Sequence, residues 1–390
     1  MELLFWISVA LIAYSYFIYP ILLCFVSALK QMINDTKYLW QRHQRRPSNG
    51  DYLPKVSIII AAFNEDSCIE ERVNNLLALD YPQDKLTIHI GSDGSSDNTA
   101  EILNSMTAEN FTAHVFEINR GKMSVLNDLI ALSNDDILVM SDANTHFNPD
   151  AIHKLVRHFQ KDDIGAVCGE LHLVDAQSGD NKDSLYWRYE QVLKFHESRL
   201  GALLGANGAI YAMRKSLFNA LPANTIVDDF QIVMNVARQK YRTVYDPEAI
   251  AIEEVAPDLS SEEGRRIRIG LGNYQAFFNM SWALNPLLGW RFITYISHKV
   301  CRWFVPHLMV IALVSNYFLL SQPMYQLILV SQFIFYLIAF YGINKQKKGK
   351  KVNALIGLIA FFVSMNIALM RGFFRYFNSN VQGTWQRTSR

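Results

Sequence analysis

KVSIII, residues 55–60, decides the fold, because this run is short, apolar and rich in β-branched residues and therefore predicts a buried strand. A segment with helical spacing follows at 66–79, and the same order of strand and helix recurs three more times. The later pairs are LTIHIG (86–91) with 97–107, AHVFEI (113–118) with 122–132, and DILVM (136–140) with 149–160. Four successive strand–helix units predict an α/β domain with a mainly parallel sheet covered by helices.

Polar residues follow each predicted strand, at the edge where parallel sheets bind ligands. They are Asn64-Glu65, Ser92-Asp93-Gly94-Ser95, Asn119-Arg120-Gly121-Lys122 and Ser141-Asp142-Ala143-Asn144. Helix capping explains part of this pattern, since Asn, Asp and Ser are preferred caps. Capping does not require carboxylates after the second and fourth strands with a Gly-Lys pair between them, so we predict a ligand site here. Neither GxGxxG after the first strand nor GxxxxGK[ST] occurs, which argues against a dinucleotide fold and a P-loop.

Charge is distributed unevenly along the 390 residues, whose formal net charge is +1. Residues 3–29, 324–343 and 352–370 contain no charged side chain, and 303–320 contains only His307. Each stretch is close to the ~20 apolar residues that a membrane-spanning helix needs. The first has no charged segment before it and no cleavage site after it, so we expect an anchor rather than a signal peptide. Buried helices of a soluble protein would rarely give such runs, so we predict a multi-pass membrane protein.

We predict five regions along the chain. They are a transmembrane anchor at 1–30, the α/β domain at 51–270, interfacial amphipathic helices at 271–302, transmembrane helices at 303–375 and a tail at 376–390. The interfacial region is predicted from aromatic residues at roughly helical spacing, which suit the headgroup level of a bilayer. These residues are Tyr274, Phe277, Phe278 and Trp282. Ordinary helices that pack on the α/β domain are the alternative.

The basic residues predict which side of the membrane each region faces. Lys and Arg follow the anchor and precede the second apolar run, so the α/β domain is expected to be cytoplasmic. The run Lys345–Lys351 agrees with a cytoplasmic loop. The tail does not, because three helices after the domain would place it outside although it carries Arg387 and Arg390; its side is left open. The four cysteines form no CxxC pair, so neither a zinc site nor a disulfide framework is indicated.

Further motifs appear in a fixed order along the chain. They are Ala61-Ala62-Phe63-Asn64-Glu65, Ser92-Asp93-Gly94-Ser95-Ser96-Asp97, Asn119-Arg120-Gly121-Lys122 with Asn127, Asp142-Ala143-Asn144, Gly205-Ala206-Asn207-Gly208 with Arg214, Val227-Asp228-Asp229, and Arg265-Arg266-Ile267-Arg268-Ile269. In this order and topology they resemble the membrane-bound family 2 glycosyltransferases, which include synthases of hyaluronan, cellulose, chitin and poly-N-acetylglucosamine. The resemblance implies a GT-A fold for 51–270. It also implies inverting transfer of a sugar from a nucleotide-sugar, with a UDP-sugar expected, to a polysaccharide or lipid-linked acceptor at the cytoplasmic face of the cell membrane.

The resemblance also implies roles for individual residues. Those expected to bind the nucleotide-sugar are Ala61, Asn64, Glu65, Asp93, Arg120, Gly121, Lys122, Asn127 and Asp142. Asp142 and Asn144 stand where the family has a metal-binding D-x-D, so Mg²⁺ or Mn²⁺ is the expected cofactor. Asn144 would contact the metal through its carbonyl oxygen or hydrogen-bond a metal-bound water.

Catalysis is expected from the acidic pair, with Asp229 as the general base and Asp228 orienting or holding the acceptor. Capping of a helix near Phe230 is the alternative for both. The segment Gly205-Ala206-Asn207-Gly208 is expected on the acceptor side. The residues expected to bind the diphosphate are Arg265, Arg266 and Arg268, with attraction to the membrane surface as an alternative or additional role.

The family's Q-x-x-R-W motif is altered here, because Arg265 replaces its Gln and Ile269 its Trp. The expected partners are a nucleotide-sugar donor, a glycan or lipid-linked acceptor, membrane lipid, and polysaccharide export or assembly proteins, but no nucleic acid. Asn144 and Ile269 support one alternative. In it, a catalytically weak member of the family binds nucleotide or polymer as a partner in a polysaccharide assembly complex.

Overall fold

The computed structural model describes residues 1–41, 52–174, 185–254 and 259–378. Most of the predicted tail, from residue 379 on, lies outside the described residues. The chain divides into two compact units: the main part of one is Leu23–Pro257, and the other combines Met1–Leu22 with Asp258–Val381.

The first unit contains an eight-stranded sheet in the order β3-β2-β1-β4-β7-β6-β8-β5. The strands are β1 (Val56–Ala62), β2 (Leu86–Asp93), β3 (Phe111–Phe116), β4 (Ile137–Asp142), β5 (Thr145–Phe147), β6 (Ile164–Val174), β7 (Tyr211–Arg214) and β8 (Arg242–Glu254). The first four strands pair in parallel, whereas β7 runs antiparallel to both β4 and β6. The predicted α/β fold with a mainly parallel sheet is therefore confirmed.

Among the described residues, two helices precede the first strand, six lie between the first and last strands, and five follow the last strand. They are α1 (Glu2–Ala13), α2 (Tyr19–Gln41), α3 (Ile69–Leu77), α4 (Thr99–Ser105), α5 (Lys122–Leu132), α6 (Ala151–Val156), α7 (Leu185–Leu200), α8 (Asp228–Arg238), α9 (Leu259–Asn279), α10 (Trp290–Thr294), α11 (Cys301–Tyr317), α12 (Pro323–Lys347) and α13 (Ala354–Asn378). A π-helical turn at Tyr14–Ile18 joins α1 to α2, and another at Tyr295–Val300 joins α10 to α11.

The central strand β1 is buried along its whole length, and its alternate residues point to opposite faces of the sheet. In β1, Ile58 and Ile60 pack into a core with α3, α4 and α6, whereas Ile59 and Ala61 pack into a second core with α5 and α8. This sandwich fixes the carboxyl edge of the sheet, where the predicted site lies.

Four helices in the described part of the chain are long and apolar enough to cross a membrane, which indicates a membrane protein. They extend over Glu2–Trp40, Trp290–Tyr317, Pro323–Lys347 and Ala354–Asn378. The second of these helices begins at Trp290, within the region 271–302 that we predicted to be interfacial. Its start was not recognised in the sequence because Arg291, Lys299 and Arg302 interrupt the apolar residues. Arg302 is nevertheless only 7% exposed. In addition, α9 continues through the domain boundary that we predicted at 270/271.

Within the second unit, α9 and α13 approach each other at a pair of glycines. A Cβ atom on Gly372 would lie 2.6 Å from the backbone nitrogen of Leu271, and one on Gly270 would lie 3.2 Å from the carbonyl oxygen of Ala368. Small residues permit such close packing of membrane helices. At one end of α9, Glu263 pairs with Arg371 of α13 at 2.6 Å. These contacts join α9 to the last helix.

Candidate active site

The candidate site lies at the carboxyl edge of the central strands. Ala61 near the end of β1 pairs with Asp142 at the end of β4, and Ala62 pairs with Ser92 of β2. A turn at Ala143 and Asn144 connects β4 to β5, and Asn144 is partly buried in this turn. Strand pairing thus brings together the polar segments that the sequence placed after separate strands.

A cluster of opposite charges forms the centre of the site. The Nζ atom of Lys122, at the start of α5, lies 2.6 Å from Oδ1 of Asp142 and 3.5 Å from Oδ2 of Asp228. A Cβ atom on Gly208 would lie 3.4 Å from Oδ2 of Asp142 and 3.6 Å from Oδ2 of Asp229. Three carboxylates and one ammonium group therefore converge, and the missing side chain of Gly208 leaves space between two of the carboxylates.

The cluster changes the proton affinities of its members. Burial, together with the neighbouring carboxylate of Asp228, raises the pKa of Asp229 to about 6, although Lys122 opposes the shift. Burial alone would lower the pKa of Lys122, but Asp142 and Asp228 outweigh it, so this pKa is raised and the ammonium group stays charged. Asp229 is thus suited to accept a proton near neutral pH.

Both acidic residues of the predicted catalytic pair also belong to a helix start. Asp228 and Asp229 are the first two residues of α8, and Oδ1 of Asp229 accepts a hydrogen bond from the backbone N–H of Phe230 at 2.7 Å. Carboxylates are stabilised at this end of a helix by its dipole. Oδ1 of Asp229 thus satisfies one N–H of the first turn, although Val227 and not Asp229 occupies the N-cap position of α8; Oδ2 of Asp229 faces Gly208.

Asp93 fixes the loop that carries Lys122. Its side chain is fully buried, Oδ1 accepts a hydrogen bond from the N–H of Arg120 at 2.9 Å, and Oδ2 accepts one from the N–H of Gly121 at 2.7 Å. Gly121 has φ +90°, a conformation that favours glycine. A carboxylate has further acceptor positions, so binding of the nucleotide-sugar by Asp93 stays a prediction.

Asn64 and Glu65 join the loops after β1 and β2. Asn64 has φ 54°, and its Oδ1 accepts a hydrogen bond from the N–H of Ser96 at 2.8 Å. The N–H of Glu65 donates to the hydroxyl of Thr99 at 2.8 Å. These hydrogen bonds connect the two loops to each other. A direct role in donor binding stays a prediction for both residues.

Two other predicted donor ligands have structural contacts. The guanidinium group of Arg120 binds Asp128 at 2.7 Å at the surface, so its backbone rather than its side chain contacts Asp93. Asn127 donates to the carbonyl oxygen of Leu221 at 2.8 Å and so braces the segment before α8.

The predicted acceptor-side segment lies beside the acidic pair. Gly205 has φ +95°, and a Cβ atom there would lie 2.9 Å from the ring of Phe230. Ala206 packs against the second core. The Nδ2 atom of Asn207 is buried without a hydrogen-bond partner among the described residues. A buried donor of this kind is suited to a ligand hydroxyl.

The structure adds two residues that the sequence analysis missed. The Tyr211 hydroxyl on β7 is buried without a partner in the described ranges, and burial and the three carboxylates raise its pKa well above its usual value. Nothing in the sequence singles out Tyr211. Arg72 is fully buried on α3 and binds Ser141. The spacing of Arg72 in the sequence could have indicated its burial, because it shares the buried face of α3 with Ile69 and Leu76.

The residues of the site fit a divalent cation that arrives with a diphosphate. No group of three or more His, Cys, Asp or Glu side chains within the described ranges is placed to hold a metal by itself. Mg²⁺ and Mn²⁺ prefer oxygen ligands, and Mg²⁺ usually keeps substrate phosphates and waters in its shell. Asp142 supplies such a ligand, and the carboxylates of the cluster outnumber its ammonium group.

The predicted diphosphate ligands lie in the other compact unit, on α9. The guanidinium carbon of Arg266 lies 5.1 Å from the ring centroid of Phe361 on α13. Arg265 is exposed and Arg268 is partly buried. Binding of the diphosphate by these arginines stays a prediction.

Comparison with known proteins agrees with this fold. Residues 57–220 match the family described as Glycosyl transferase family 2. The poly-beta-1,6-N-acetyl-D-glucosamine synthase of Staphylococcus aureus (strain COL) is 28% identical over 240 residues, which are 58% of this chain and 56% of that protein. The synthase of the same name from Staphylococcus epidermidis is 25% identical over 241 residues, 58% of this chain and 57% of that protein. The matched part thus spans little more than half the length of these relatives.

A solved structure shares the fold. It is the mannosyltransferase PcManGT from Pyrobaculum calidifontis in complex with GDP-Man and Mn²⁺, with a TM-score of 0.67 and 19% identity, covering 96% of this chain and 99% of that chain. The mixed, mostly parallel sheet is of the GT-A type. The family match and the shared fold together indicate a family 2 glycosyltransferase domain that includes residues 57–220.

Proposed function

We propose that this protein is an inverting transferase that moves a sugar from a UDP-sugar to a polysaccharide or lipid-linked acceptor at the cytoplasmic face of the cell membrane. The observation that carries the proposal is the convergence of Asp142, Asp228 and Asp229 on Lys122 at the carboxyl edge of a GT-A sheet. The flanking basic residues support a cytoplasmic domain.

Each part of the site has one task in the proposed reaction. Asp229 accepts the proton of the acceptor hydroxyl, so that the oxygen attacks the sugar on the face opposite the leaving group. Asp228 orients the acceptor. Lys122 and the arginines of α9 compensate the negative charge on the departing nucleoside diphosphate. Glycosyltransferases of this fold typically use a divalent metal; Mg²⁺ or Mn²⁺ held by Asp142 and Asn144 would neutralise further diphosphate charge.

The relatives guide the choice of donor. Two of them are named for a poly-N-acetylglucosamine product, so UDP-N-acetylglucosamine is the first donor to test. The structural neighbour was solved with GDP-Man, which makes GDP-mannose the comparison donor. Polysaccharide export or assembly proteins remain proposed partners.

Product analysis with defined donors tests the proposal. Membranes containing the full chain are incubated with each donor and Mn²⁺ or Mg²⁺, and released nucleoside diphosphate and glycan mass are measured. We expect turnover with a UDP-sugar and a product whose mass gives donor, acceptor and length together. Nucleotide binding without turnover by any donor would instead support the catalytically weak assembly partner.

The pH dependence should reflect the pKa of Asp229. Since burial and Asp228 raise that pKa to about 6, the base is protonated below this pH and ionised above it. We therefore expect kcat/KM for the donor, measured at saturating metal, to rise with pH through about 6 and then level off. A flat profile down to pH 5 would contradict the assignment of Asp229 as the base.

Arg268→Ala tests the diphosphate role of α9. A hydrogen bond to a charged group contributes about 1.5–3 kcal/mol, so we expect UDP affinity to fall by about 10- to 100-fold. Isothermal titration of the full chain in detergent measures the affinity. Lys347→Ala is the control, because Lys347 is a cation of the same unit and pairs with Glu263. Equal affinities of the Arg268→Ala protein and the unmodified chain would exclude the role.

A further inference from the structure

Arg72 occupies an unusual position for a charged residue. It lies on α3 between Ile69 and Leu76, on the face that packs into the core, and its side chain is fully buried. Its hydrogen-bond partners among the described residues are neutral: Oδ1 of Asn75 and Oγ of Ser141, each at 2.8 Å. Burying a charge is costly unless surrounding groups compensate it, so this position calls for an explanation.

The contacts of Arg72 enclose the turn that carries Asp142 and Asn144. Its guanidinium group binds Ser141 immediately before Asp142 and lies 4.4 Å from the ring centroid of Phe147 at the far end of the segment. Asn75 fixes the same end, because it accepts a hydrogen bond from the N–H of Phe147 at 2.9 Å and donates one to its carbonyl oxygen at 3.0 Å. Both ends of the segment are therefore held from α3.

A second connection leads to the acceptor side. The hydroxyl of Ser141 donates to the carbonyl oxygen of Ala209 at 2.7 Å. Ala209 follows Gly208, which faces the carboxylates of both Asp142 and Asp229. Through Ser141, Arg72 thus connects the metal side of the site to the segment opposite it.

Electrostatics agree with this arrangement. Burial lowers the pKa of Arg72 to about 9, and the carboxylate of Asp142 is the main charge that opposes the shift. The carboxylate of Asp142 therefore stabilises the charged form of the buried guanidinium group.

We propose that Arg72 is a positioning residue that holds Asp142 and Asn144 for the cation and the nucleoside diphosphate through its contacts with Ser141 and Phe147. The inference rests on the proposed function, in which these two residues meet the metal. Partners behind metal ligands fix the ligands' orientation, and their loss typically weakens metal binding by about 10- to 100-fold.

Arg72→Met tests this role by a measurement other than turnover. UDP binding to the purified full chain is titrated with Mn²⁺ present and with EDTA. In the unmodified chain, Mn²⁺ should strengthen UDP binding. In the variant, the Mn²⁺ concentration needed for that gain should rise by about 10- to 100-fold. Binding in EDTA should stay unchanged, because Asp93 holds its loop through the N–H groups of Arg120 and Gly121, and the N–H of Glu65 donates to Thr99.

Arg157→Met is the matched control, since Arg157 is also largely buried but binds Asp246 and Glu248 elsewhere in the domain. It should lower the melting temperature without changing the Mn²⁺ dependence. Ser141→Ala removes the hydroxyl that connects Arg72 to Ala209 but keeps the buried guanidinium group. It should shift the Mn²⁺ dependence in the same direction as Arg72→Met. This second variant keeps the test decisive if Arg72→Met does not fold.

The outcomes separate the two proposals. If the unmodified chain binds UDP no better with Mn²⁺, the proposed metal site fails. If it does bind better and both site variants keep its Mn²⁺ dependence, or bind Mn²⁺ more tightly, the positioning role of Arg72 is overturned while the proposed function stands.

Discussion

Asp229→Asn is expected to lower kcat by about 10²- to 10⁴-fold, the range that a general base contributes. An amide cannot take the proton of the acceptor hydroxyl. Its oxygen can still accept the hydrogen bond that Asp229 receives from the N–H of Phe230, so the start of α8 should be preserved. Loss of one negative charge also relieves repulsion with Asp228. Turnover should therefore fall while the fold persists.

Two measurements accompany this variant. UDP affinity in the presence of Mn²⁺ should stay within a few-fold of the unmodified chain, and so should the melting temperature within a few degrees. Asp163→Asn, which removes an exposed carboxylate paired with Arg242, is the control and should leave kcat unchanged. Normal turnover by Asp229→Asn would require another base.

Lys122→Met is expected to lower kcat by about 10²- to 10³-fold, because it removes a fixed positive charge from the place where negative charge develops. The three carboxylates would also lose their shared cation. Since Lys122 lowers the pKa of Asp229, its loss should move the rise of kcat/KM to higher pH than in the unmodified chain. A pH profile therefore distinguishes this variant from one that only weakens donor binding.

Lys154→Met is the matched control for Lys122→Met. Lys154 also pairs with two carboxylates, those of Asp150 and Glu248, but in another part of the domain. Its replacement should leave kcat and the pH profile unchanged. Lys122→Arg should restore part of kcat, since it keeps the charge but not the shape of the ammonium group. An unchanged pH profile in Lys122→Met would contradict the electrostatic coupling to Asp229.

The first half of the sheet was predictable from local sequence. Strands β1 to β4 are short apolar runs, each followed by helical spacing, and the bounds of α5 agree with the prediction of 122–132. The second half was not predicted, because β7 enters between β4 and β6 by pairing that depends on residues far apart in the sequence. Long-range pairing of this kind leaves no local pattern.

The site shows the same limit. The motif order placed Asp142 and Asp229 in one site, but their approach depends on β7 and on the segment around Gly208. Arg72 was overlooked because it follows two glutamates and reads as a surface residue. Only the spacing of the apolar residues around it shows that the helix turns it inward.

The close packing of α9 against α13 at Gly270 and Gly372 suggests that bilayer thickness affects the tilt of both helices. Membrane helices tilt to match their hydrophobic length to the surrounding lipid. Because the two backbones approach closely at these glycines, we expect a tilt of α13 to move α9 and its three arginines with it. A change in lipid chain length should then change the tilt of α9, and a variant without α13 should lose that dependence.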